Sequence, residues 1–454
     1  MTPPLPLADA FPVFNEDDWR AAVARTSRPA PIDPRDSVAD GASAGTLHQR
    51  RVGARAIVGR AAGRPWRIVH RVDAGDASSA AAAVSDDVAG GATGVEIAFS
   101  GSLHPLGGRL AGDLAPTLAA ALATVIPDRF HLRVDGPAAI AGAFLDLAAA
   151  RKAELILTFD PIAALAIRGR AAAAPEAFAA NLDAAAKAFD TRGIDGAVVI
   201  GDGRLWHAGG ATEEQELAAI LATFVHYLRL LPAARIGVAL ATDADQFRSM
   251  AKFRAMRLLL ARVGEVAGVT STPRVHGETA WRTMSARNPE MNILRATSAT
   301  FAAAAGGADS IAVLPFDAVG GGDGHGRRLA RNTQTILAEE AHLFRVADPG
   351  AGSGAIEALT ATLAETAWKR FQAIEAEGGI VAAIGGGSLL REIAEARETR
   401  LARIAAGDVV MIGVNAYAGN GDVPAAARTR RVPVRQAEPL TFKRLSEPFE
   451  GHAK

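Results

Sequence analysis

Short runs of β-branched and other apolar residues alternate with longer segments of helical spacing from about residue 65 onward. Consecutive parallel strands need helical crossovers, and eight such units close into a barrel with a filled interior. We therefore predict a (β/α)8 TIM barrel, with a doubly wound open sheet as the alternative fold. The candidate strands are WRIVHRVD from Trp66, TGVEIAF from Thr93, FHLRVD from Phe130, AELILTFD from Ala153, IDGAVVIG from Ile194, ARIGVAL from Ala234, GVTSTPRVH from Gly268 and ADSIAVLPFD from Ala308.

Capping signals predict where two of the helices begin. Thr212 can cap a helix over TEEQELAAILATFVHYLRLL, and Gln215 completes a capping box. In NPEMNILRATSATFAAAAGG, Asn288 is the expected cap, Pro289 lies in the first turn and Gly306 follows the end. Both helices are flanked by predicted strands, as the barrel requires.

The two ends of the chain do not show this alternation of strand and helix patterns. Residues 1–60 contain PPLPL, RPAPIDPRD and DGASAG, whose Pro, Gly and Ser interrupt regular structure, and a short helix opens at Asp17, Asp18 and Trp19. Beyond about residue 380 come an amphipathic helix and a small β-like unit, GDVVMIGVNAY. We predict an N-terminal arm at 1–60, the barrel at 61–380 and a C-terminal helical linker region at 381–454.

Composition narrows the classes of function. The 49 basic and 49 acidic residues balance, so an electrostatic footprint for nucleic acid or an anionic membrane is not expected. The chain has no cysteine, which excludes disulfides, thiolate nucleophiles and iron-sulfur clusters and fits the reducing cytoplasm. The N-terminus has no signal-peptide pattern, and no stretch has the length and apolarity of a membrane span.

Generic motifs indicate few candidate site residues. The loop GGGDGHG follows the last predicted strand and matches neither dinucleotide-binding nor P-loop spacing, so we interpret it as a βα loop. The ten histidines include no pair spaced to share a metal on one helix face, and we expect no bound metal. His207 follows the fifth strand, where barrel enzymes place catalytic groups, and it is the one candidate for proton transfer. We favour the other interpretation, a histidine that is hydrogen-bonded structurally at a strand end.

Several longer stretches carry a family resemblance. They are NPEMNILRATSATFAAAAGGADSI, LARNTQTILAEEAHLFRVADPGAGS, HAGGATEEQELAAILA and QFRSMAKFRAMRLLLARVG, with the Arg331-Asn332-Thr333-Gln334 block and Asp348-Pro349 as the specific parts. These stretches closely resemble the barrel of the adenosylcobalamin-dependent methylmalonyl-CoA mutase family. The resemblance implies radical interconversion of methylmalonyl-CoA and succinyl-CoA. It also implies a corrin held by a separate C-terminal domain through Asp-x-His-x-x-Gly.

Two motifs of catalytic members have no match here. The one D-x-H is Asp323-Gly324-His325, where Arg328 stands in place of the motif's glycine, and it lies within the barrel region. Nothing resembles the tyrosine-bearing segment T-x-R-Q-Y-A-G-F. We therefore expect the cobalamin-binding domain and the substrate-facing tyrosine to be absent from this chain.

The segments at two strand ends also depart from catalytic members. Against G-Y-H-M-Q-E-A-G-A-T, aligned on the closing Gly-Ala-Thr, Leu205 takes the position of the catalytic histidine and His207 that of glutamine, although a gap could restore His207. Against a final strand resembling Q-S-L-H-T-N-S-F-D-E-A, this chain places Ala312, Leu314 and Pro315 where His, Asn and Ser stand. Apolar side chains cannot hydrogen-bond a thioester, so we interpret this strand end as structural.

The resemblance thus implies the small, β-type subunit of a heterodimeric mutase. Its own barrel is expected to have no catalytic and no cofactor-binding residues, with His207 as a weak candidate. Adenosylcobalamin and the acyl-CoA are expected on a homologous large subunit, around which the N-terminal arm wraps. The alternatives are the substrate-binding barrel of a split mutase that uses a separate cobalamin-binding chain, and a non-enzymatic assembly protein.

Overall fold

The computed structural model describes residues 12, 14–26, 48–169, 174–269, 271–322, 324–418 and 439–450. Among these residues, none of the helices is long and apolar enough to cross a membrane. Phe11, an apolar residue of the predicted arm, and Asp323 lie outside the described residues.

Parallel strands form one sheet in the order β5-β4-β3-β2-β1-β9-β8-β7-β6. The segments at its two ends, β5 and β6, are a single run interrupted at Val198. The sheet closes there, because β5 pairs with β4, β6 pairs with β7, and the Ile200 N–H also donates to the Phe159 carbonyl (3.1 Å). Eight strand positions result, which confirms the predicted barrel over the open sheet. The strands are β1 Arg67–Val72, β2 Gly94–Ala98, β3 His131–Asp135, β4 Glu154–Leu157, β5 Gly196–Ala197, β6 Val199–Asp202, β7 Ile236–Thr242, β8 Val275–Thr279 and β9 Ser310–Ala312.

Helices connect the strands and form the outer layer. The predicted capping box is confirmed: the Gln215 N–H donates to the Thr212 hydroxyl (3.3 Å), and the Thr212 N–H donates to Gln215 Oε1 (2.9 Å). The helices are α1 Glu16–Thr26, α2 Ala77–Ala89, α3 Ala115–Leu122, α4 Gly142–Arg151, α5 Pro161–Arg168, α6 Pro175–Arg192, α7 Gly203–Ala208, α8 Glu213–Leu228, α9 Gln246–Ala267, α10 Met291–Ala305, α11 Gly324–Glu339, α12 Gly354–Ala376, α13 Ile380–Gly386 and α14 Ser388–Ala406.

Two predicted boundaries are wrong. The strand predicted from Gly268 begins only at Val275, because α9 continues to Ala267 and Gly268 closes it with a left-handed φ of 67°. The predicted cap Asn288 does not cap α10, which begins at Met291. Asn288 has a φ of 46° and its side chain donates to the Gly413 carbonyl (3.2 Å), a tertiary contact with the C-terminal region.

Side chains on the strands alternate between the helical layer and the barrel interior, as pleating requires. On β2, Val95 and Ile97 belong to the large core between strands and helices, whereas Glu96 points inward and lies opposite Arg133 of β3. A small separate cluster of Ile156, Ala197, Ile200 and Ala239 contributes the apolar part of the interior. The rest of the interior that we describe is mainly polar.

Segments outside the barrel pack on both of its ends. At the amino end, Arg60 donates to the carbonyls of Ala304 (3.0 Å) and Ala308, so residues 48–64 lie against the chain's own helices. At the carboxyl end, residues 439–450, here called the C-terminal strap, cross α7 and the loop after β8. In the strap, the Lys443 N–H donates to the Ala208 carbonyl (3.2 Å), and the Leu445 N–H donates to the Arg282 carbonyl (2.9 Å).

Candidate functional site

The carboxyl half of the barrel interior is occupied by a network of ion pairs centred on Glu96. Its carboxylate accepts hydrogen bonds from Arg71 of β1 (2.5 Å), Arg133 of β3 (2.8 Å) and Arg204 of α7 (3.1 Å). All four side chains belong to residues that are at most 5% exposed. Guanidinium groups from three different elements therefore meet one buried carboxylate on the barrel axis.

Arg204 joins this network to the opposite side of the barrel. Asp202 is the last residue of β6 and caps α7. It also accepts hydrogen bonds from Arg204 Nε and Nη2 (both 2.8 Å), and this two-pronged contact fixes the orientation of the guanidinium. Arg204 Nη1 also donates to Glu278 of β8 (2.9 Å), and Glu278 lies 2.7 Å from His104 Nε2. Arg204 thus bridges β2, β6 and β8 across the interior.

The arginines keep the buried carboxylates ionised. Burial alone would raise the pKa of Glu96, but Arg204, Arg133 and Arg71 outweigh it and hold that pKa well below its usual range. Burial likewise opposes ionisation of Glu278, and Arg204 with His104 lowers its pKa to about 2. Each of these charges has at least one partner of opposite sign, although Arg71 Nε and Arg133 Nη2 are buried without a hydrogen-bond partner among the described residues.

A small cavity lies between the carboxyl ends of the last strands and helix α10. A cavity at the ends of β7, β8 and β9 encloses about 20 Å³, with Thr242, Thr279 and Leu314 among its lining residues. That volume suits one water molecule, whereas pockets for organic ligands measure about 300–1,000 Å³. This cavity cannot admit a CoA ester without movement of the surrounding side chains.

His207, the candidate for proton transfer, lies on α7 and is 1% exposed. Its Nε2 is 3.6 Å from Asp243 Oδ2, which is too long for a hydrogen bond. Burial first, and then the nearby Arg282, lower the pKa of His207 to about 3, so the imidazole is neutral at physiological pH.

Ligand atoms of His207, Glu213 and Asp243 lie within 4.8 Å of one another, the one metal-compatible grouping found in the described ranges.

The other residues singled out in the sequence lie apart from this grouping. Leu205 is 1% exposed within the hydrophobic core, and Leu314 packs with Met284 and Val319. Ala312 pairs with β1 and β8 at the end of β9. His325 is exposed in the first turn of α11, where its Nδ1 lies 3.3 Å from Arg328 Nη2.

No motif in the sequence singled out the residues of the interior ion pairs. Their signal is a charged residue at an inward position of otherwise apolar strands, as in RIVHRV, GVEIA, HLRVD and VHGET. A charged side chain inside such a strand must be paired when the strand is buried on both faces. Which strands pair, and that Arg204 of a helix joins them, depends on the closed barrel.

The residues specific to the family resemblance make structural contacts. Gln334 accepts a hydrogen bond from Trp66 Nε1 (3.0 Å) and donates to the Val69 carbonyl (3.3 Å), which attaches α11 to β1. Asp348 accepts from Arg254 Nε (3.1 Å) and from the Ile57 N–H (2.7 Å). These residues therefore hold helices and the amino-end segment in place.

The residues at the carboxyl end of this barrel do not fit adenosylcobalamin, the cofactor that the resemblance implies. The C-terminal strap packs across α7 and the loop after β8 at the carboxyl end of the barrel, and Leu440 of the strap is 2% exposed against Gly209. Arg204, Glu96 and Glu278 occupy the barrel interior next to α7. His325, which belongs to the mismatched D-x-H segment, lies in the first turn of α11.

Together the fold and the site define a (β/α)8 barrel protein whose interior is closed by ion pairs. The methylmalonyl-CoA mutase family model matches residues 151–447. The chain belongs to the methylmalonyl-CoA mutase family.

Curated relatives are named as small subunits. The chain is 42% identical over 285 residues to the probable methylmalonyl-CoA mutase small subunit of Mycobacterium tuberculosis (strain ATCC 25618 / H37Rv), covering 59% of this chain and 46% of that protein. It is 44% identical over 224 residues to the methylmalonyl-CoA mutase small subunit of Streptomyces virginiae, covering 47% and 36%. The corresponding protein of Propionibacterium freudenreichii subsp. shermanii is 41% identical over 204 residues, covering 42% and 32%. The match thus spans less than half the length of each relative. Among solved structures, a Yersinia pestis DHPS aligns over 61% of this chain and 94% of its own, with a TM-score of 0.27 and 14% identity.

Proposed function

We propose that this chain is the small subunit of a heterodimeric, adenosylcobalamin-dependent methylmalonyl-CoA mutase and that its own barrel is non-catalytic. The complex interconverts methylmalonyl-CoA and succinyl-CoA. Both the cofactor and the acyl-CoA bind the homologous large subunit, and this chain supports that subunit structurally.

The ion-pair network around Glu96 carries the proposal. A ligand in the barrel interior would have to displace Arg204 from Glu96 and Glu278, and breaking a buried ion pair costs about 3–5 kcal/mol. The apolar Ala312 and Leu314 offer no side-chain donor to a thioester carbonyl in return. Both observations favour a closed scaffold over a substrate-binding barrel.

The N-terminal region supports the assignment of a partner subunit. Helix α1 carries Trp19, which is half-buried, and Phe14 just before α1 is 73% exposed. Large apolar side chains in solvent at the end of an arm are suited to contact with another chain. We propose that residues 1–60 provide this contact to the large subunit, while residues 61–380 form the barrel and 381–454 the linker region.

Co-expression with a full-length mutase homologue from the same genome tests the proposal. We expect a one-to-one complex by solution mass, turnover of methylmalonyl-CoA by the complex, and none by this chain alone with adenosylcobalamin. Turnover by this chain with a separate cobalamin-binding protein would instead establish the split mutase. A homologue that is fully active and soluble without this chain, and does not bind it, would contradict the small-subunit role and leave an assembly protein.

A further inference from the structure

We propose that His207, Glu213 and Asp243 form a binding site for a divalent transition-metal ion of the zinc type. This site is independent of the proposed mutase role. The three residues come from α7, the first turn of α8 and the residue after β7, so they converge at the carboxyl ends of the strands.

The distance between His207 and Asp243 is that of two metal ligands rather than of hydrogen-bond partners. His207 Nε2 and Asp243 Oδ2 are 3.6 Å apart. Zinc binds nitrogen and oxygen at about 2.0–2.2 Å, so two ligands in a tetrahedral site lie about 3.4 Å from each other. His207 Nε2 is buried and has no hydrogen-bond partner among the described residues. A carboxylate oxygen of Glu213 lies within 4.8 Å of both atoms.

Neighbouring cations limit the affinity but leave the ligand atoms accessible. Arg248 binds Glu213 Oε2 (2.8 Å), and Lys252 binds Glu216 (2.8 Å). Arg282 Nη2 faces Glu213 Oε1 at 3.6 Å and Asp243 Oδ2 at 3.5 Å, both beyond hydrogen-bond distance. Arg282 is held instead through Nη1 by backbone carbonyls, that of Ala211 at 2.8 Å among them, so a metal can take the two carboxylate oxygens while Arg282 stays bound.

An entry path exists on the side of Asp243. Its side chain is 16% exposed, and the next two residues, Ala244 and Asp245, are exposed. An ion can therefore reach the cluster from the mouth of the barrel without passing the network around Glu96.

Zinc titration of the full chain by calorimetry tests the site, with cobalt absorption as a second probe. We expect one zinc per chain and a tetrahedral cobalt spectrum. The H207Q and D243N variants should each weaken zinc binding at least about 10-fold. The matched control H226Q alters a partly buried histidine on α8 outside the cluster and should leave binding unchanged.

An opposite effect is expected for R282M. Removing the guanidinium that faces both carboxylates should tighten zinc binding about 10-fold or more. Absence of zinc binding by the wild-type chain would overturn the proposal, as would binding by H207Q with wild-type affinity. If H207Q does not fold in the metal-free state, two other results test the proposal. A cobalt spectrum of the wild type without tetrahedral bands would overturn it, and so would R282M binding zinc no more tightly than the wild type.

Discussion

Glu96 shows what a single residue does in this barrel. A carboxylate on the axis of a closed barrel has no access to water, and its desolvation cost is offset only by close cationic partners. Arg71, Arg133 and Arg204 provide these partners from three elements. Because each pair depends on the others, Glu96 specifies how β1, β3 and α7 meet in the interior.

Replacing Glu96 with Gln should destabilise the chain strongly. The E96Q change leaves three buried guanidiniums facing a neutral group, which we expect to lower the free energy of unfolding by about 3–5 kcal/mol. The midpoint of urea unfolding measures this effect. E265Q is the matched control, because Glu265 pairs with Arg262 on the surface with 70% and 57% of their side chains exposed, and such a pair contributes about 0–1 kcal/mol. Equal midpoints for E96Q and wild type would show that the network does not stabilise the barrel.

At the scale of elements, the α7–α8 connection organises the candidate site. Helix α7 has only the six residues Gly203–Ala208, yet it sends Arg204 into the barrel interior and His207 towards Asp243. The capping box at Thr212 then starts α8 at once and sets the position of Glu213. Capping interactions between neighbouring residues therefore position side chains whose own contacts are with residues far away in the sequence.

Loss of the capping box should weaken α8. The T212A variant removes the hydroxyl that accepts the Gln215 N–H, and we expect unfolding free energy to fall by about 1 kcal/mol. T297A is the same substitution in the middle of α10, where Thr297 is exposed and binds only the Ile293 carbonyl. Alanine is the better helix former there, so T297A should be neutral or slightly stabilising. A T212A variant as stable as T297A would contradict the importance of the cap.

The two incorrect boundaries also belong to this scale. Pro289 and the asparagine before it match a helix start, but Asn288 is committed to a contact with Gly413, which is distant in sequence. The apolar and β-branched residues after Gly268 resemble a strand, but α9 has already ended there and pairing with β7 begins only at Val275. At Asn288 a tertiary contact decided the boundary over local propensity.

At the scale of the whole molecule, the closed barrel buries carboxyl groups, and their ionisation makes the free energy of unfolding depend on pH. Glu154 lies at the amino end of β4 beside His131 (2.9 Å) and Arg274 (2.7 Å). Burial opposes its ionisation, but these partners outweigh burial and lower its pKa to about 2. A carboxyl group whose pKa is lower in the folded than in the unfolded chain contributes stability above the unfolded value of about 4.3. That stability is lost as the pH falls through the folded value.

The E154Q variant makes this dependence measurable. At pH 7 we expect wild type to be more stable than E154Q by about 3 kcal/mol, corresponding to a shift of roughly 2 pKa units. The difference should shrink as the pH falls below about 4 and largely vanish near 2, because the wild-type carboxyl group is then protonated. Urea unfolding at a series of pH values measures the gap. A gap that stays constant across this range would contradict the role of ionised Glu154, and E265Q should show almost none throughout.

The sequence by itself determined the barrel, its order of strands and helices, and the family. These features rest on periodic burial and on local capping, which act between residues close in the chain. Tertiary structure alone decided the interior: that Glu96, Arg204 and Glu278 form one network, and that His207, Glu213 and Asp243 converge. A charged residue in a strand requires a partner, but only closure of the sheet brings residues far apart in sequence within a few ångströms, where burial makes their pairing decisive.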